Sequence, residues 1–436
     1  MFTSRSTGYL ALLLPLFLAG GVSSAAASVI KGPFLENLAG DRVTISWEAD
    51  ESTQGVLRYG PGKLTEEVEI PEASGMQSVS LTGLLPGKTY FYRLEFHNGS
   101  FTPTLTFTTA PVSPEPFHFV VFGDTRTNHS AHRQVVALLE ERQPDFYLNT
   151  GDIVENGDDA GLWQIFFDIE HAAMSRMVMW PVMGNHDKRE GTLFDVLFHP
   201  DSSSGTSRYY SFDYSNCHFL VLCSEEDFSP ASAQYQWADA DLAAARADQA
   251  IEHIFAFYHR PSFSSGWHGS EELPLAEYLH PLFRKHGVEI VFSGHDHDYE
   301  RSTVDGITYI VTGGGGAPYP PLLPEDEPPR PDRNPYRQVF LGVFHLVDCA
   351  VQQEVVSCQM IDLTRNVRDT FGVNLEQDSD QQPPQCQPCE GGCLSAAPAR
   401  GSGLSLFLAG VAIVLLLRRR AGSAAGSKTR RPDAGR

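Results

Sequence analysis

Five short blocks of this chain place metal-ligating side chains just after apolar runs. They are Gly123-Asp124, Gly151-Asp152, Gly184-Asn185-His186-Asp187, Tyr258-His259-Arg260-Pro261 and Gly294-His295-Asp296-His297, spread over about 175 residues. Carboxylate, amide and imidazole donors without a thiolate suit Zn, Mn or Fe rather than a structural cysteine-type zinc. Each block alone has an ordinary reading: His259 as a satisfied structural histidine, Asp152 to Glu155 as a solvated turn, Gly184-Asn185 as a hairpin signal. As an ordered set, that reading must explain five coincidences at five strand ends. If two ions sit roughly 3.5–4 Å apart, one carboxylate must bridge them, as two-metal hydrolases require.

The elements that must position these blocks are legible beside them. Short β-branched or aromatic runs at 117–122, 146–150, 177–183, 253–258 and 288–293 precede the five blocks and predict buried strands. Helical patterns at 130–142, 160–176, 231–249 and 271–286 fall between them. Alternating strand and helix implies an α/β sheet, whose ligands gather beyond the carboxyl ends of the strands. All five blocks should therefore emerge on one edge. Glycines 123, 151, 184 and 294 are expected to turn the backbone sharply and leave room for ions.

The blocks resemble the calcineurin-like metallophosphoesterases, and within them the purple acid phosphatases, from about Phe117 to about Tyr319. The phrase Gly294-His295-Asp296-His297-Asp298-Tyr299-Glu300-Arg301 carries much of the likeness. The resemblance implies a four-layer α/β/β/α sandwich, over residues 117–372, that holds two metal ions (Fe, Mn or Zn). It implies that Asp124 and His297 bind the first ion, that Asn185, His259 and His295 bind the second, and that Asp152 bridges. His186 would face the phosphoryl group, with Asp187 holding its imidazole, and His268 would be a further substrate-facing histidine.

One departure concerns the first ion. The purple enzymes carry a tyrosine three residues after the bridging aspartate, where this chain has Glu155; a related branch uses a histidine two residues after the first aspartate, where this chain has Arg126. No tyrosinate-to-iron colour is expected. Glu155, His132 or water could complete the first ion's shell, and Arg126 could instead contact a substrate phosphate. The implied reaction is attack of metal-activated hydroxide on a small phosphate monoester. Phosphodiesterase or nucleotidase activity on the same site is the nearest alternative. A non-catalytic surface binding module on a degenerate phosphatase fold is the other.

Residues 28–112 carry short alternating stretches at 42–48, 55–59, 78–81, 90–96 and 104–108, separated by turn signals such as Pro61-Gly62 and Pro86-Gly87, which predict an all-β sandwich. Trp47 and Tyr90 make it resemble a fibronectin type III domain, with Tyr90 at the place of a tyrosine corner; Trp47 and Tyr92 read as core residues. Pro111 to Pro116 is the expected linker.

The ends of the chain indicate where it works. Residues 1–27 read as a secretory signal peptide, with an apolar stretch at 9–20 and Ala25-Ala26-Ala27 before the expected cleavage. A Pro- and Cys-containing tether at 373–403 leads to a hydrophobic segment with an Arg cluster at 404–420 and a basic tail at 421–436. This arrangement resembles the myxobacterial type of C-terminal sorting signal, handled by export and sorting machinery, with Cys393 the candidate for modification. The simpler reading is a single-pass anchor, although the apolar run 404–417 is short for roughly 30 Å of hydrocarbon. Either way the expectation is an exported, surface-attached enzyme. Cys349 and Cys358 flank an apparent hairpin and could pair across it, whereas Cys217 and Cys223 lie too far apart along one extended run to bond each other. Cys386 and Cys389 read as a local disulfide in the stalk.

The formal net charge of −22 argues against nucleic-acid polymers as partners and is compatible with small phosphate esters drawn in by metals. Gly313 to Gly316 lacks the Gly-Lys-Ser/Thr ending of a nucleotide loop, so close packing near the His295/His297 loop is its expected use. Residues 320–335 read as a long solvated loop.

Overall fold

The computed structural model describes residues 29–189, 192–270, 273–318 and 333–375. The signal-peptide reading, the Cys386, Cys389 and Cys393 tether with its hydrophobic tail, and most of the 320–335 loop lie outside the described residues. Among the described residues, no helix is long and apolar enough to cross a membrane.

Five strands form the N-terminal part: β1 (Val29–Glu36), β2 (Arg42–Gly60), β3 (Glu66–Thr82), β4 (Thr89–Phe96) and β5 (Leu105–Thr108). The long β2 and β3 bend together, and their register slips between Ala49, Thr53 and Gly55. Before the bend β2 pairs with β1 and the end of β3; beyond it β2 pairs with the start of β3 and with β4, which pairs with β5. The result is a β-sandwich closed on Trp47, Leu57, Leu94 and Phe107. The two strands expected at 42–48 and 55–59 are therefore one. Gly55 makes the bend feasible, because a Cβ there would lie 2.1 Å from the Glu95 carbonyl oxygen. The Tyr90 hydroxyl accepts a hydrogen bond from the Leu85 N–H at 2.9 Å, which ties down the corner before β4. Tyr92 is buried, but its hydroxyl reaches out of the sandwich and donates to the Ser175 carbonyl at 2.7 Å. With the Phe34–Phe167 ring contact at 5.1 Å, it joins the sandwich to the following layers as one compact unit.

The catalytic region runs β6 (Phe117–Phe122), α1 (His129–Arg142), β7 (Phe146–Asn149), α2 (Ala160–Met174), β8 (Val178–Pro181), α3 (Phe194–Leu197), β9 (Tyr210–Tyr214), β10 (Cys217–Val221), α4 (Ala233–Ala247), β11 (His253–Phe257), α5 (Leu275–His286), β12 (Ile290–Ser293), β13 (Tyr299–Val304), β14 (Ile307–Thr312), β15 (Arg337–Leu341), β16 (His345–Gln352), β17 (Val355–Asp362) and β18 (Val367–Val373). One sheet has the order β18-β17-β16-β6-β7-β8 and the other β15-β13-β14-β12-β11-β10-β9. The strands that lead into the five blocks are mutually parallel within each sheet: β6, β7 and β8 in one, β11 and β12 in the other.

Strand alternation builds the layers. Phe119, Phe146, Phe219, Phe255 and Phe292 point between the sheets, and Phe119 meets the edge of Phe219 at 5.2 Å. Their neighbours Val120, Phe122 and Tyr147 turn outward onto α1 and α2, through Val135, Leu139, Trp163 and Phe167. On the other side Ile254, Ala256 and Val291 pack on Leu242 of α4 and Leu279 and Phe283 of α5. This is the four-layer α/β/β/α arrangement. Asn128, Asp159 and Ser232 cap α1, α2 and α4 by accepting backbone N–H bonds. The β16–β17 hairpin places Cys349 opposite Cys358, and they form a disulfide; Cys217 and Cys223 are buried free thiols.

His218 of β10 is sandwiched between Asp213 of β9, 2.7 Å from Nδ1, and Asp241 of α4, 2.9 Å from Nε2. Burial disfavours its charge, but the two carboxylates outweigh burial and push its pKa up to about 9. A histidine raised in the folded state adds stability that is complete below its unfolded pKa and lost as pH rises through the folded one. Relative to His218→Gln, the native chain should thus be more stable by about 1–3 kcal/mol near pH 6 and no more stable above about pH 9–10, measured by denaturant unfolding.

Candidate metal centre

The five blocks meet at one edge, where the carboxyl ends of β6, β7, β8, β11 and β12 face each other across the two sheets. Three of the residues concerned hold left-handed backbone conformations: Asp124 at φ 56°, Asp152 at φ 51° and His295 at φ 71°. Such angles are uncommon for residues with side chains and cluster at functional sites. Thus the sharp turns are made largely by the ligand residues themselves. Gly151 shares in the turning at φ 98°, while Gly184 and Gly294 serve close approach: a Cβ at Gly184 would lie 2.2 Å from the Asp152 N, and one at Gly294 would lie 2.4 Å from Asp124 Oδ2.

The centre of the arrangement is His259 Nε2. It lies 3.2 Å from Asp152 Oδ1, 3.2 Å from Asn185 Oδ1 and 3.2 Å from His295 Nδ1. Four donors at about 2.1 Å from a common ion would be spaced about 3.4 Å apart in a tetrahedron, so this set fits one transition-metal ion. The other ring nitrogen of His259 donates to the Thr150 carbonyl at 2.9 Å, which leaves Nε2 as the ligating atom. Burial opposes charge on both Asp152 and His259, yet their mutual attraction wins. Asp152 is held well below the usual carboxylate range, and His259 is pushed up to about 10. Burial, with His259 and His268 nearby, holds His295 neutral.

Asp124 and His297 form a second, looser group. Asp124 Oδ2 accepts the His295 N–H at 2.9 Å, while its Oδ1 has no hydrogen-bond partner among the described residues and lies 3.6 Å from His297 Nε2. The Pro318 carbonyl takes the Nδ1 proton of His297 at 2.8 Å, so Nε2 is free to accept. Between these groups and Asp152 sits Arg126. Its Nε donates to Asp152 Oδ2 at 3.2 Å, its Nη2 lies 3.3 Å from His297 Nε2, and its Nη1 pairs with Glu155.

The remaining candidates divide. His186 reaches the edge of the site: its Nδ1 donates to the Glu155 carbonyl at 2.8 Å, and its Nε2 stands 3.9 Å from Asp152 Oδ2. His268 also arrives, its ring 4.1 Å from that of His295. Asp187 does not hold the His186 imidazole. It is fully buried and accepts the N–H groups of Gly184, Ile153 and Val154 at 2.9, 3.2 and 3.1 Å, stitching the loop after β7 to the loop after β8. Burial and the nearby Asp152 charge push its pKa up to about 7. His132 is no ligand either, because its Nε2 bonds Glu170 at 2.7 Å inside the core and Tyr147 donates to the same carboxylate. Two positioning residues escaped the sequence reading. Glu225 grips Arg260 at 2.7 Å, and Asp296 accepts the His268 N–H at 2.7 Å. Glu225 stands just beyond the carboxyl end of β10, where the strand-end rule applied to the other blocks would have found it.

Fold and site together define a metallophosphoesterase. Residues 117–299 match the calcineurin-like phosphoesterase family. Purple acid phosphatase 22 of Arabidopsis thaliana is 29% identical over 323 residues, covering 66% of this chain and 72% of its own. The probable purple acid phosphatase 20 of the same plant is 26% identical over 342 residues, covering 70% and 78%. The structure of a purple acid phosphatase from yellow lupin (Lupinus luteus) seeds superposes with a TM-score of 0.67 at 18% identity, covering 78% of this chain and 74% of that one. The chain thus carries a calcineurin-like phosphoesterase domain in a purple acid phosphatase-like fold, and it is a hydrolase acting on phosphate esters.

The position of Asp187 makes a test of its role. Asp187→Ala would strand three buried N–H groups, each costing about 1–3 kcal/mol. It should lose at least about 3 kcal/mol of unfolding free energy in a denaturant titration; unchanged stability with altered turnover would return Asp187 to a catalytic role.

Proposed function

We propose that the protein is an exported phosphatase that hydrolyses small phosphate monoesters, with at least one Fe, Mn or Zn ion at the Asp152, Asn185, His259 and His295 donors. The observation that carries this reading is the convergence of those four donors on one point, with His186 and His268 beside them. An ion bound there would supply Lewis-acid stabilisation of the phosphoryl oxygens and activate water near neutral pH. The chain's own residues do the rest. The Glu155 carbonyl fixes the His186 Nδ1 proton, so the ring presents Nε2 to the site, where its protonated form can donate to the departing alkoxide. His268 flanks the four-donor group through its contact with His295. Glu225 orients Arg260, whose Nη1 lies 3.2 Å from His295 Nε2, so that its charge would add to the attraction of an anionic substrate to this edge.

Export and surface attachment are supported by the character of the two chain ends and by the Cys349–Cys358 disulfide, which suits an oxidising compartment. A diester reading is favoured by one feature: a cavity of about 250 Å³ beside Arg126 and Glu155, walled by Ile153, Leu162 and Phe166, which could take a second ester arm.

The test is hydrolysis of an aryl phosphate monoester and the matching diester with Mn, Zn or Fe supplied. The monoester should turn over at least about tenfold faster, and Asp152→Asn should lose roughly 10³-fold or more. Equal, negligible turnover by both proteins with every metal would leave the binding-module reading. His186→Ala should lose about 10²–10⁴-fold in kcat while keeping the native ion content, measured by elemental analysis.

A further inference from the structure

The two groups of donors are not equivalent. Around His259 Nε2 the protein brings four ligating atoms together, and the Arg260 guanidinium meets His295 on its other nitrogen, Nε2, turned from the ligating Nδ1. Around His297 Nε2 it brings Asp124, Asp152 and, between them, the Arg126 guanidinium. An ion there would need to approach Asp152 Oδ2 and His297 Nε2 to about 2.0–2.2 Å. Those are the two atoms to which the guanidinium N–H groups are already directed, so ion and guanidinium compete for one volume. Both are cations, and their repulsion at such a separation is poorly screened in a buried site.

Arg126 is also held where it is. Its side chain is 13% exposed, Glu155 pairs with its third nitrogen, and the Thr127 hydroxyl fixes that glutamate at 2.7 Å. Moving the guanidinium out would remove a donor from the buried Asp152 Oδ2. Among the described residues Asp124 Oδ1 is the carboxylate oxygen there that the guanidinium leaves unpaired, and a single carboxylate oxygen does not make a transition-metal site, which takes about four donors.

We propose that this chain is a one-ion phosphoesterase in which Arg126, locked by Glu155, occupies the first of the two ion positions as a fixed positive charge. The inference rests on the reading of the Asp152, Asn185, His259 and His295 group as an ion site. A guanidinium supplies two N–H donors and one charge to an anionic phosphoryl group, in the fork geometry that suits its oxygens. It cannot activate water as an ion does, so in this protein water activation belongs to the second position alone. Arg126 is then a catalytic residue contacting substrate.

The experiment is an ion count on the purified full chain, equilibrated with excess Mn, Zn or Fe, freed of loose metal and analysed by mass spectrometry. One ion per chain is the expected result. Two ions per native chain would overturn the proposal, and none would overturn the metal-dependent reading of the preceding subsection instead. The double variant Arg126→Gly, Glu155→Tyr removes the internal cation and adds a phenolate ligand. It should hold two ions and, loaded with ferric iron, acquire a visible charge-transfer band that the native chain lacks. A double variant that melts at the native temperature yet still binds one ion would also overturn the proposal, since the guanidinium would not be what excludes the first ion. The native ion count stands whether or not the variant folds.

Discussion

Four lone pairs brought to one point by a folded chain must be offset by positive charge, and much of this structure bears on how that is done. Asp152 Oδ1, Asn185 Oδ1 and His295 Nδ1 each lie 3.2 Å from His259 Nε2, where a proton on that nitrogen or a bound ion can supply the charge. Water cannot screen them, because the carboxylate and both imidazoles are nearly or wholly buried. The chain therefore has to force the loops together with binding energy gained elsewhere. The aromatic layer between the sheets is the main source, with Phe119, Phe146, Phe219, Phe255 and Phe292 in mutual contact. Each such ring buried is worth roughly 1.5–3 kcal/mol, enough in sum to hold left-handed turns at Asp124, Asp152 and His295 that cost about 1–3 kcal/mol each.

The same logic assigns the polar residues that touch no substrate. Asp187 gives one carboxylate to three N–H groups of two different loops, so the Asp152 turn and the Gly184 turn cannot move independently. The Thr150 carbonyl sets the orientation of His259, and Pro318 sets that of His297. Asp296, which stands between the two histidines of its block, faces away from the donors and secures the His268 loop. Alternate residues of one strand-end loop thus divide the work: His295 and His297 point to the reacting edge, and Asp296 anchors the loop behind them.

How much of this was legible beforehand depended on the kind of signal. The strands at β6, β7, β8, β11 and β12 and the helices α1, α2, α4 and α5 stand out because buried parallel strands are continuous apolar runs and surface helices are periodic. The convergence of the ligand blocks followed from strand order alone. The bend that fuses two strands into β2 was not legible, because it depends on Gly55 meeting Glu95 from a distant strand. The role of Asp187 was misjudged for a similar reason. Adjacency to His186 suggested a pair, but consecutive side chains in a turn diverge, and the buried N–H groups that needed the carboxylate belong to a loop some thirty residues earlier. His132 looked like a free ligand until Glu170, on another helix, was found to claim it.

Arg126 and Glu155 carry the last step. Read separately, each is a missing ligand: an arginine two residues after the first aspartate, a glutamate three residues after the second. The guanidinium beside His297 already faces the Asp152 and Asp124 carboxylates, and Glu155, about half exposed, adds a third on its open side. Together they form an ion pair whose cation also serves Asp152 and His297, and whose anion is fixed in turn by Thr127. Two changes that each look like decay of a site compensate one another in charge and in geometry. That mutual dependence is what a site rebuilt around an internal cation requires. Simple loss of the first ion would leave no reason for a glutamate, rather than any small side chain, to face the arginine.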